Sequence, residues 1–507
     1  MDGAAAAMDG AAGAAGRALQ GLPEGYNWFL ILVAVVMTCA VLAVNVYVIV
    51  HYQHPEDRNQ AWLPKFIVLL GLTLAELSVL MVPLDVANRA ACADHISISA
   101  CKLSMPMPEL WYTVYLLGAV LIFFVIPFAG FLYEADSDLT LFAKVRSSLM
   151  YMTATFVVMA LTLGLAYGLA GYAQYTVDDL VSEIAPLSAA VGEGCLGGGS
   201  LCDGAGAPTT DWSVRVSFPV YVVAVTTIVG WLLFMVFAGI GVTALPLDWI
   251  QQYFHRPRAT ISRAEYIRKA RGLARQAKEI KELAGKLRRD EQLHGKGRKW
   301  KKSLKQLNQQ MHDPEDAEDK LAEVFPQGEG ADSAWAMTVI GYGVKLVLGV
   351  ICLIISILLV VHIVLYIFIT PPVDPFLNTF FIDLDKVFPL FGTAAFGLFC
   401  FYLIAITIKG CTKFGMSIFI FTLHPMKVGK TMMSSLLFNV AIILLCSSSV
   451  IQFCNKAFAV YAKDSTVGEI FGNQLENLLG LKYLFKYNGE TAPGGGWWKE
   501  GKKVGRD

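Results

Sequence analysis

The residues best suited to chemistry in this sequence are ionisable side chains inside long apolar segments. Glu76 lies in the middle of one segment with Asp85 near its end, and His362 lies in another. Because an ionised group in lipid is strongly unfavourable, such residues are candidates for proton transfer or cation binding. A neutral carboxyl that hydrogen-bonds two helices is an equally weighted interpretation of Glu76. Asp85 and Glu134, which lie close to segment ends, are interpreted as helix caps or ion-pair partners.

Signatures of known enzyme classes do not occur in the sequence. Gly429-Lys430-Thr431 resembles the end of a phosphate-binding loop, but His424 occupies a position where that motif requires glycine. The HExxH, CxxC and G-x-S-x-G patterns are absent, and the eight histidines lack metal-ligand spacing. We therefore expect a protein without enzymatic activity, cofactor or metal.

The apolar segments that carry these residues are long enough to span a membrane. The chain of 507 residues is 55% hydrophobic and 16% charged, whereas soluble domains carry about 25% charged residues. A helix needs about 20 apolar residues to cross a bilayer. Eight segments qualify: 28–50, 64–86, 110–133, 147–172, 218–244, 344–369, 387–408 and 431–453. The predicted fold class is an all-α, polytopic membrane helical bundle of about eight spans.

Positive residues are concentrated on one side of the predicted spans. They occur in the connections 51–63, 134–146, 245–343 and 409–430. Because Lys and Arg near span ends favour the cytosol, the N-terminus is predicted to be non-cytosolic. The pairs Cys92/Cys101 and Cys195/Cys202 then fall in non-cytosolic loops, where paired cysteines favour disulfides. Free thiols are the alternative.

The third of these connections contains a strongly basic helical segment. Between Arg256 and Lys305, eighteen Lys and Arg residues oppose five acids, a net charge of +13. Apolar residues recur every seven positions from Tyr266 to Leu287, which predicts a helix, and a second helix at 301–325 would complete an antiparallel hairpin. Its basic surface is interpreted as a solvated face that fixes topology, a contact for anionic lipid, or a docking site for a soluble protein. Because Lys plus Arg and Asp plus Glu both total 41, no nucleic-acid partner is expected.

The spans and the basic segment divide the chain into five predicted regions. These are a disordered Ala/Gly-rich N-terminus (1–26), spans 1–5 (27–244), the basic cytosolic helical segment (245–335), spans 6–8 with a following amphipathic segment (336–488) and a disordered tail (489–507). The bilayer is the one partner that every such arrangement requires.

Short motifs from about residue 28 to 488 resemble a known family. They are Tyr52-Gln53-His54-Pro55, Pro83-Leu84-Asp85-Val86-Ala87-Asn88, Ile126-Pro127-Phe128 to Tyr133-Glu134, Leu245-Pro246-Leu247-Asp248, Arg256-Pro257, His424-Pro425-Met426-Lys427 with Asn439, and the run from Gly480 to Asn488. In this order they resemble the limb-region-1-like membrane proteins, which include lipocalin-interacting membrane receptors and the lysosomal cobalamin transport escort protein. The resemblance is closest to the plant and algal branch. The motif residues taken as site candidates are Asn88, Glu134, Arg256, Pro257, His424, Pro425, Lys427 and Asn439.

The resemblance implies about nine spans, an outward N-terminus and a long cytosolic loop after span five. Because this sequence ends in GETAPGGGWWKEGKKVGRD, the ninth span of the family is expected to be missing. The first functional expectation is a protein of the lysosome, vacuole or another endomembrane that escorts or scaffolds a transporter, such as an ABC transporter in a cobalamin-related role. The alternatives are a receptor-like signalling or endocytic scaffold, with a trafficking partner, at the plasma membrane, and an ion- or proton-coupled transporter that depends on Glu76.

Overall fold

The structure is a computed structural model that describes most of the chain. The described residues are 25–54, 57, 62–93, 103–135, 140–178, 209–257, 259–294, 300, 303, 307, 314, 317–318, 321, 324–325, 331–369, 372–388, 390–413, 417–418, 421–422, 426, 429, 431–463 and 465–467. Side chains at 89–93, 103–104, 175–178, 209–211, 291–294, 331–332, 334, 417–418 and 421–422 are not described.

Helices account for nearly all of the described secondary structure. They are α1 (Trp28–Tyr52), α2 (Trp62–Ala93), α3 (Met107–Val120), α4 (Ile126–Glu134), α5 (Leu141–Ala170), α6 (Phe218–Phe254), α7 (Arg263–His294), α8 (Ala331–His362), α9 (Phe376–Val387), α10 (Phe391–Lys413) and α11 (Met433–Ala457). A π-helical turn π1 (Leu121–Val125) joins α3 to α4, and π2 (Ile363–Phe368) extends α8. Eight helical stretches within the described residues are long and apolar enough to cross a membrane, with α3-π1-α4 and α8-π2 each forming one stretch. The predicted all-α, eight-span fold class is confirmed.

Three pairs of short strands, which the sequence analysis did not predict, connect some of these helices. They are β1 (Gly25–Tyr26) with β2 (Leu103–Ser104), β3 (Tyr172–Asp178) with β4 (Thr209–Arg215), and β5 (Ser417–Ile418) with β6 (Phe421–Thr422). The first pair is parallel and the other two are antiparallel. In the longest pair, Tyr172 lies opposite Arg215 and Asp178 opposite Thr209, so that a β-ribbon leads from α5 into α6.

The chain forms two compact units, one of residues 1–242 and 358–507 and the other of residues 243–357. In the first unit, the share of buried residues in the apolar 18-residue stretch of each spanning helix is highest for α11, at 72%. It is 67% for α2 and 50% for α10. None of the corresponding stretch of α5 is buried. The core of this unit therefore consists of α2, α10 and α11, and α5 lies at its edge.

Glycines allow α6 and α10 to pack backbone against backbone. A Cβ atom at Gly241 of α6 would overlap the carbonyl group of Ile406, and one at Gly410 of α10 would overlap the carbonyl group of Phe237. Because the relation is reciprocal, a side chain at either glycine would force the helices apart. Small residues are typical of close helix contacts in membranes.

The second unit contains the basic helix and the described part of the segment after it. The aromatic rings of Tyr266 and Phe325 stack with their centroids 4.5 Å apart. At the other end of α7, Trp300 Nε1 donates a hydrogen bond of 3.2 Å to the carbonyl oxygen of Leu287. Because early residues of α7 contact late residues of the following segment, the two run antiparallel, as the predicted hairpin requires.

Candidate functional site

Glu76 lies inside the first unit, where α2 faces α1. Its side chain is buried, and Asn45 Nδ2 donates hydrogen bonds of 3.2 Å to Glu76 Oε2 and to Thr73 Oγ1. Thr73 and Glu76 are three residues apart on α2 and so lie on one face of the helix. Asn45 is not among the predicted site residues, although a lone amide in an apolar span is a signal for an interhelical hydrogen bond. This arrangement joins two helices through a carboxyl, an amide and a hydroxyl.

Asp85, on the same helix, is completely buried and gathers hydrogen bonds from two other parts of the chain. Trp111 Nε1 of α3 donates to Asp85 Oδ2 at 3.1 Å. Thr466 Oγ1 donates to Oδ1 at 2.9 Å, and the backbone N of Val467 donates to Oδ2 at 3.1 Å. The nearby motif residue Asn88 accepts a hydrogen bond of 2.9 Å through Oδ1 from the backbone N of Met105. The end of α2 therefore holds both the start of α3 and the chain that follows α11.

A second carboxylate, Asp385 of α9, fastens the same segment of chain. Asp385 Oδ1 accepts hydrogen bonds from the backbone N atoms of Gly392 and Thr393 at 2.7 and 3.4 Å, which holds the turn into α10. In that turn Leu390 has a φ of 82°, a left-handed conformation that leucine rarely adopts. Tyr461 Oη donates to Asp385 Oδ2 at 2.7 Å. Burial raises the pKa of Tyr461 above its usual range, so the phenol is a neutral donor at physiological pH.

His362 lies beside this segment, at the C-terminal end of α11. Its Nε2 donates a hydrogen bond of 2.9 Å to the backbone oxygen of Ala457, which also accepts from Asn378 Nδ2 at 3.2 Å. The imidazole stacks on Tyr366 and Phe458, with ring centroids 5.2 and 5.5 Å away. Within the described part of the chain, His362 Nδ1 has no hydrogen-bond partner. His362 thus serves as a cap for α11 inside an aromatic cluster.

At the opposite, N-terminal end of α11, the buried Asp57 caps the helix. Its Oδ2 accepts from the backbone N of Met433 at 3.2 Å, and its Oδ1 accepts from Tyr133 Oη at 2.9 Å. Lys65 Nζ donates to the backbone oxygen of Asp57. The adjacent Glu134, a predicted site residue, is exposed. Asp57 is not among the predicted site residues, although it lies two residues beyond the Tyr52-Gln53-His54-Pro55 motif.

This motif pairs with the chain that leads into α11. The backbone N of His54 donates to the oxygen of Thr431 at 3.0 Å, and the N of Thr431 donates to the oxygen of Tyr52 at 3.2 Å. A further bond of 2.9 Å joins the N of Gly429 to the oxygen of His51. The Tyr52-Gln53-His54-Pro55 motif and the residues just before α11, which are far apart in sequence, therefore meet at this end of the first unit.

The remaining predicted site residues belong to neither cluster or lie outside the described residues. Arg256 Nη1 donates to the backbone oxygen of Tyr253 at 2.8 Å, and its guanidinium lies 3.7 Å from the centre of that ring. Pro257 follows directly, just beyond the end of α6. Asn439 is buried against α10, with Cys411 Sγ 3.9 Å from its Oδ1. His424, Pro425, Lys427, Cys101, Cys195 and Cys202 lie outside the described residues, as does the side chain of Cys92. The disulfides stay a prediction.

The basic helix α7 presents one cationic face to solvent. Arg268, Arg271, Arg275 and Lys278 are exposed and follow one another at helical spacing. On a neighbouring face, Lys269 Nζ lies 2.9 Å from Glu265 Oε1, and this hydrogen bond is the main cause of a lowered pKa for Glu265. Among the described residues, no group of three or more His, Cys, Asp or Glu side chains is placed to hold a metal ion.

The fold, with its buried hydrogen bonds between helices, is that of a multi-pass helical membrane protein. The profile of the LMBR1-like membrane proteins matches residues 30–296 and 268–481, so the chain belongs to the LMBR1-like membrane protein family. The predicted family is confirmed.

The chain is also similar to named members of this group, and the similarity extends over most of each sequence. A LIMR family protein of Arabidopsis thaliana is 46% identical over 471 residues, which cover 91% of this chain and 92% of the relative. One of Oryza sativa is 47% identical over 472 residues, with the same coverage of 91% and 92%, and one of Dictyostelium discoideum is 30% identical over 493 residues, with 90% and 94%. No solved structure gives a significant match.

Proposed function

We propose that this chain is a non-enzymatic endomembrane protein that escorts or scaffolds a membrane transporter. The observation that carries the proposal is the exposure of α5, whose apolar stretch contains no fully buried residue. Gly164 and Gly168 lie one turn apart on this helix, and a Cβ atom at either would meet nothing within 4 Å. Small residues at this spacing favour close packing of a second membrane helix. An edge helix of this kind supports docking of a partner's span.

The buried carboxylates support an escort over a direct transporter. Glu76 accepts from Asn45, Asp85 from Trp111, and Asp57 from the start of α11. Each of these contacts joins helices or fixes a chain end. A proton- or ion-coupled transporter, the alternative that depends on Glu76, needs a carboxylate that changes partners during transport.

The first experiment compares two matched sets of glycine substitutions in the tagged full-length chain. Gly164→Leu with Gly168→Leu covers the exposed face of α5, whereas Gly130→Leu introduces the same side chain on α4, where the Cβ atom also meets nothing within 4 Å. After cross-linking in intact membranes, wild type and Gly130→Leu should recover a polytopic transporter. The α5 double variant should lose that transporter at normal abundance.

A second measurement separates escort from transport. Deleting the gene should lower the amount of the recovered transporter in its target membrane, and wild type should restore it. Solute movement by the purified chain alone in proteoliposomes, with cobalamin as the first solute tried, would contradict the proposal.

A receptor-like signalling or endocytic scaffold is a second candidate, favoured by the exposed cationic face of α7. With the N-terminus on the non-cytosolic side, α7 would lie in the cytosol. Neutralising Arg268, Arg271, Arg275 and Lys278 to Gln tests this candidate. Recovery of trafficking proteins that is abolished by this variant, and insensitive to the α5 variant, would favour the scaffold over the escort.

A further inference from the structure

A cavity of about 50 Å³ lies between α2, α3, α6 and α11 in the first unit. One water molecule needs about 10–15 Å³ on this measure, so the cavity holds only a few atoms of water size. Its polar lining comes from Ser78, Tyr115, Thr226, Ser447 and Ser448. The rest of the lining is apolar or glycine, and none of the lining residues carries a formal charge.

The serine and threonine hydroxyls in this lining present acceptors. Ser78, Thr226, Ser447 and Ser448 each donate to a backbone oxygen three residues earlier in their own helix, at 2.8–3.0 Å. A hydroxyl has one donor and two acceptor lone pairs. Because the donors are engaged within the helices, an occupant of the cavity is favoured if it donates hydrogen bonds.

The polar lining continues along α11 beyond the cavity. Gln452 and Asn455 follow Ser448 by four and seven residues and therefore lie on the same face of the helix. Within the described part of the chain, Gln452 Nε2 and both Asn455 amide atoms are buried without a hydrogen-bond partner. Because buried polar groups in native proteins are nearly always paired, this strip points to a partner beyond the described residues.

We propose that this cavity binds the hydroxyl head of an uncharged membrane lipid, a sterol or a diacylglycerol. The hydroxyl occupies the cavity and donates to the serine and threonine oxygens, and the few carbon atoms next to it contact the valine, leucine and isoleucine side chains of the lining. A phosphocholine head does not suit the cavity, because it lacks a hydroxyl donor and the lining offers no counter-charge. This binding site is independent of the proposed escort role.

Photolabelling of the purified full-length chain in lipid nanodiscs tests the proposal. Photoreactive, alkyne-tagged sterol and diacylglycerol are applied separately, so that the two arms distinguish the lipid class, and tagged phosphatidylcholine serves as the reference. One of the two hydroxyl lipids should label peptides of α3, α6 or α11 saturably. The untagged lipid should compete, and its methyl ether, which lacks the donor, should not.

Two glycines of the same membrane span provide a matched pair of variants. Gly118 lines the cavity and Gly130 does not, and a Cβ atom at either meets nothing within 4 Å. Gly118→Leu should fill the cavity and abolish saturable labelling, whereas Gly130→Leu should label like wild type. Ser448→Ala, a smaller change that preserves folding, should weaken binding by about fivefold, the effect of one hydrogen bond. Unchanged labelling of Gly118→Leu, equal competition by the methyl ether, or no saturable labelling by either lipid would overturn the proposal.

Discussion

The two ends of α11 are fastened by opposite kinds of chemistry. At its N-terminal end, the Asp57 carboxylate accepts from the backbone N of Met433. At its C-terminal end, His362 and Asn378 donate to the backbone oxygen of Ala457. The first end thus receives an acceptor and the second end receives donors, which matches the free N–H groups and free carbonyls of a helix and the direction of its dipole.

The ends also differ in how much chain each carboxylate holds. Asp57 comes from a connection between spans and fixes the start of one helix. Asp85 and Asp385 lie on helices and hold the chain beyond α11 through Thr466, Val467 and Tyr461. Residues remote in sequence therefore position α11. Because more hydrogen-bond partners meet at its C-terminal end, we expect substitutions there to lower stability more.

Asp85→Leu should produce the largest loss of stability. The substitution leaves Trp111 Nε1, Thr466 Oγ1 and the backbone N of Val467 buried without this acceptor. Since each unsatisfied buried donor costs about 1–3 kcal/mol, a total of about 3–9 kcal/mol is expected for the three. The midpoint of thermal unfolding in detergent, followed by tryptophan fluorescence, provides the measurement. Asp85→Asn, which keeps one acceptor oxygen, should lie between wild type and Asp85→Leu.

Asp57→Ala should have a smaller effect, about 2 kcal/mol, because it removes one helix cap and one tyrosine hydrogen bond. Asp57→Asn is the control, since asparagine is as good an N-cap as aspartate and should retain most of the stability. The same unfolding measurement applies. If Asp57→Ala lowered the midpoint more than Asp85→Leu, the ranking of the two ends would be reversed.

The Tyr461 hydroxyl should make the stability of the C-terminal end of α11 depend on pH. Burial and the neighbouring Asp385 raise the pKa of Tyr461 above its ordinary value of 10.0. Below pH 10.0 the phenol is neutral in both states and contributes no pH dependence. As pH rises further, the unfolded state releases the proton first, so stability should fall. Tyr461→Phe should cost about 1–2 kcal/mol at neutral pH and flatten this alkaline decline. Parallel alkaline profiles for the two proteins would contradict the prediction.

The membrane helices were predictable because hydrophobicity over about 20 residues is a local property of the sequence. The cap of α11 was not predictable from local rules. Met432 at its N-cap makes no side-chain capping bond, and the acceptor for the backbone N of Met433 is Asp57, 376 residues before Met433. Capping rules search for Ser, Thr, Asp or Asn beside the helix and so cannot find a remote donor or acceptor.

The residues of the candidate site also divide into those that could be predicted from the sequence and those that only the structure shows. Glu76, Asp85 and His362 were identifiable because an ionisable residue in an apolar segment is conspicuous. Of their partners, Asn45 was recognisable as an amide in an apolar span, whereas Trp111 and the backbone oxygen of Ala457 acquire their roles only through packing. The Pro83-Leu84-Asp85-Val86-Ala87-Asn88 motif marked the end of α2 where Asp85 meets Trp111, but not which atoms they join.

Glu76→Gln should have the smallest effect on stability. It tests whether the carboxyl inside the bundle has a structural role, as the carboxylates at the two ends of α11 do. Asn45 Nδ2 donates to Glu76 Oε2 at 3.2 Å, and glutamine retains a carbonyl oxygen in that position. If the carboxyl only joins α1 to α2, the variant should change stability by less than about 1 kcal/mol and keep its activity. Glu76→Leu is the matched control, because it removes the acceptor and should lower stability measurably. Abundance and transporter recovery are scored separately in cells. Normal abundance of Glu76→Gln with lost function would mean that the proton itself is required, and direct transport would then replace escort as the better explanation.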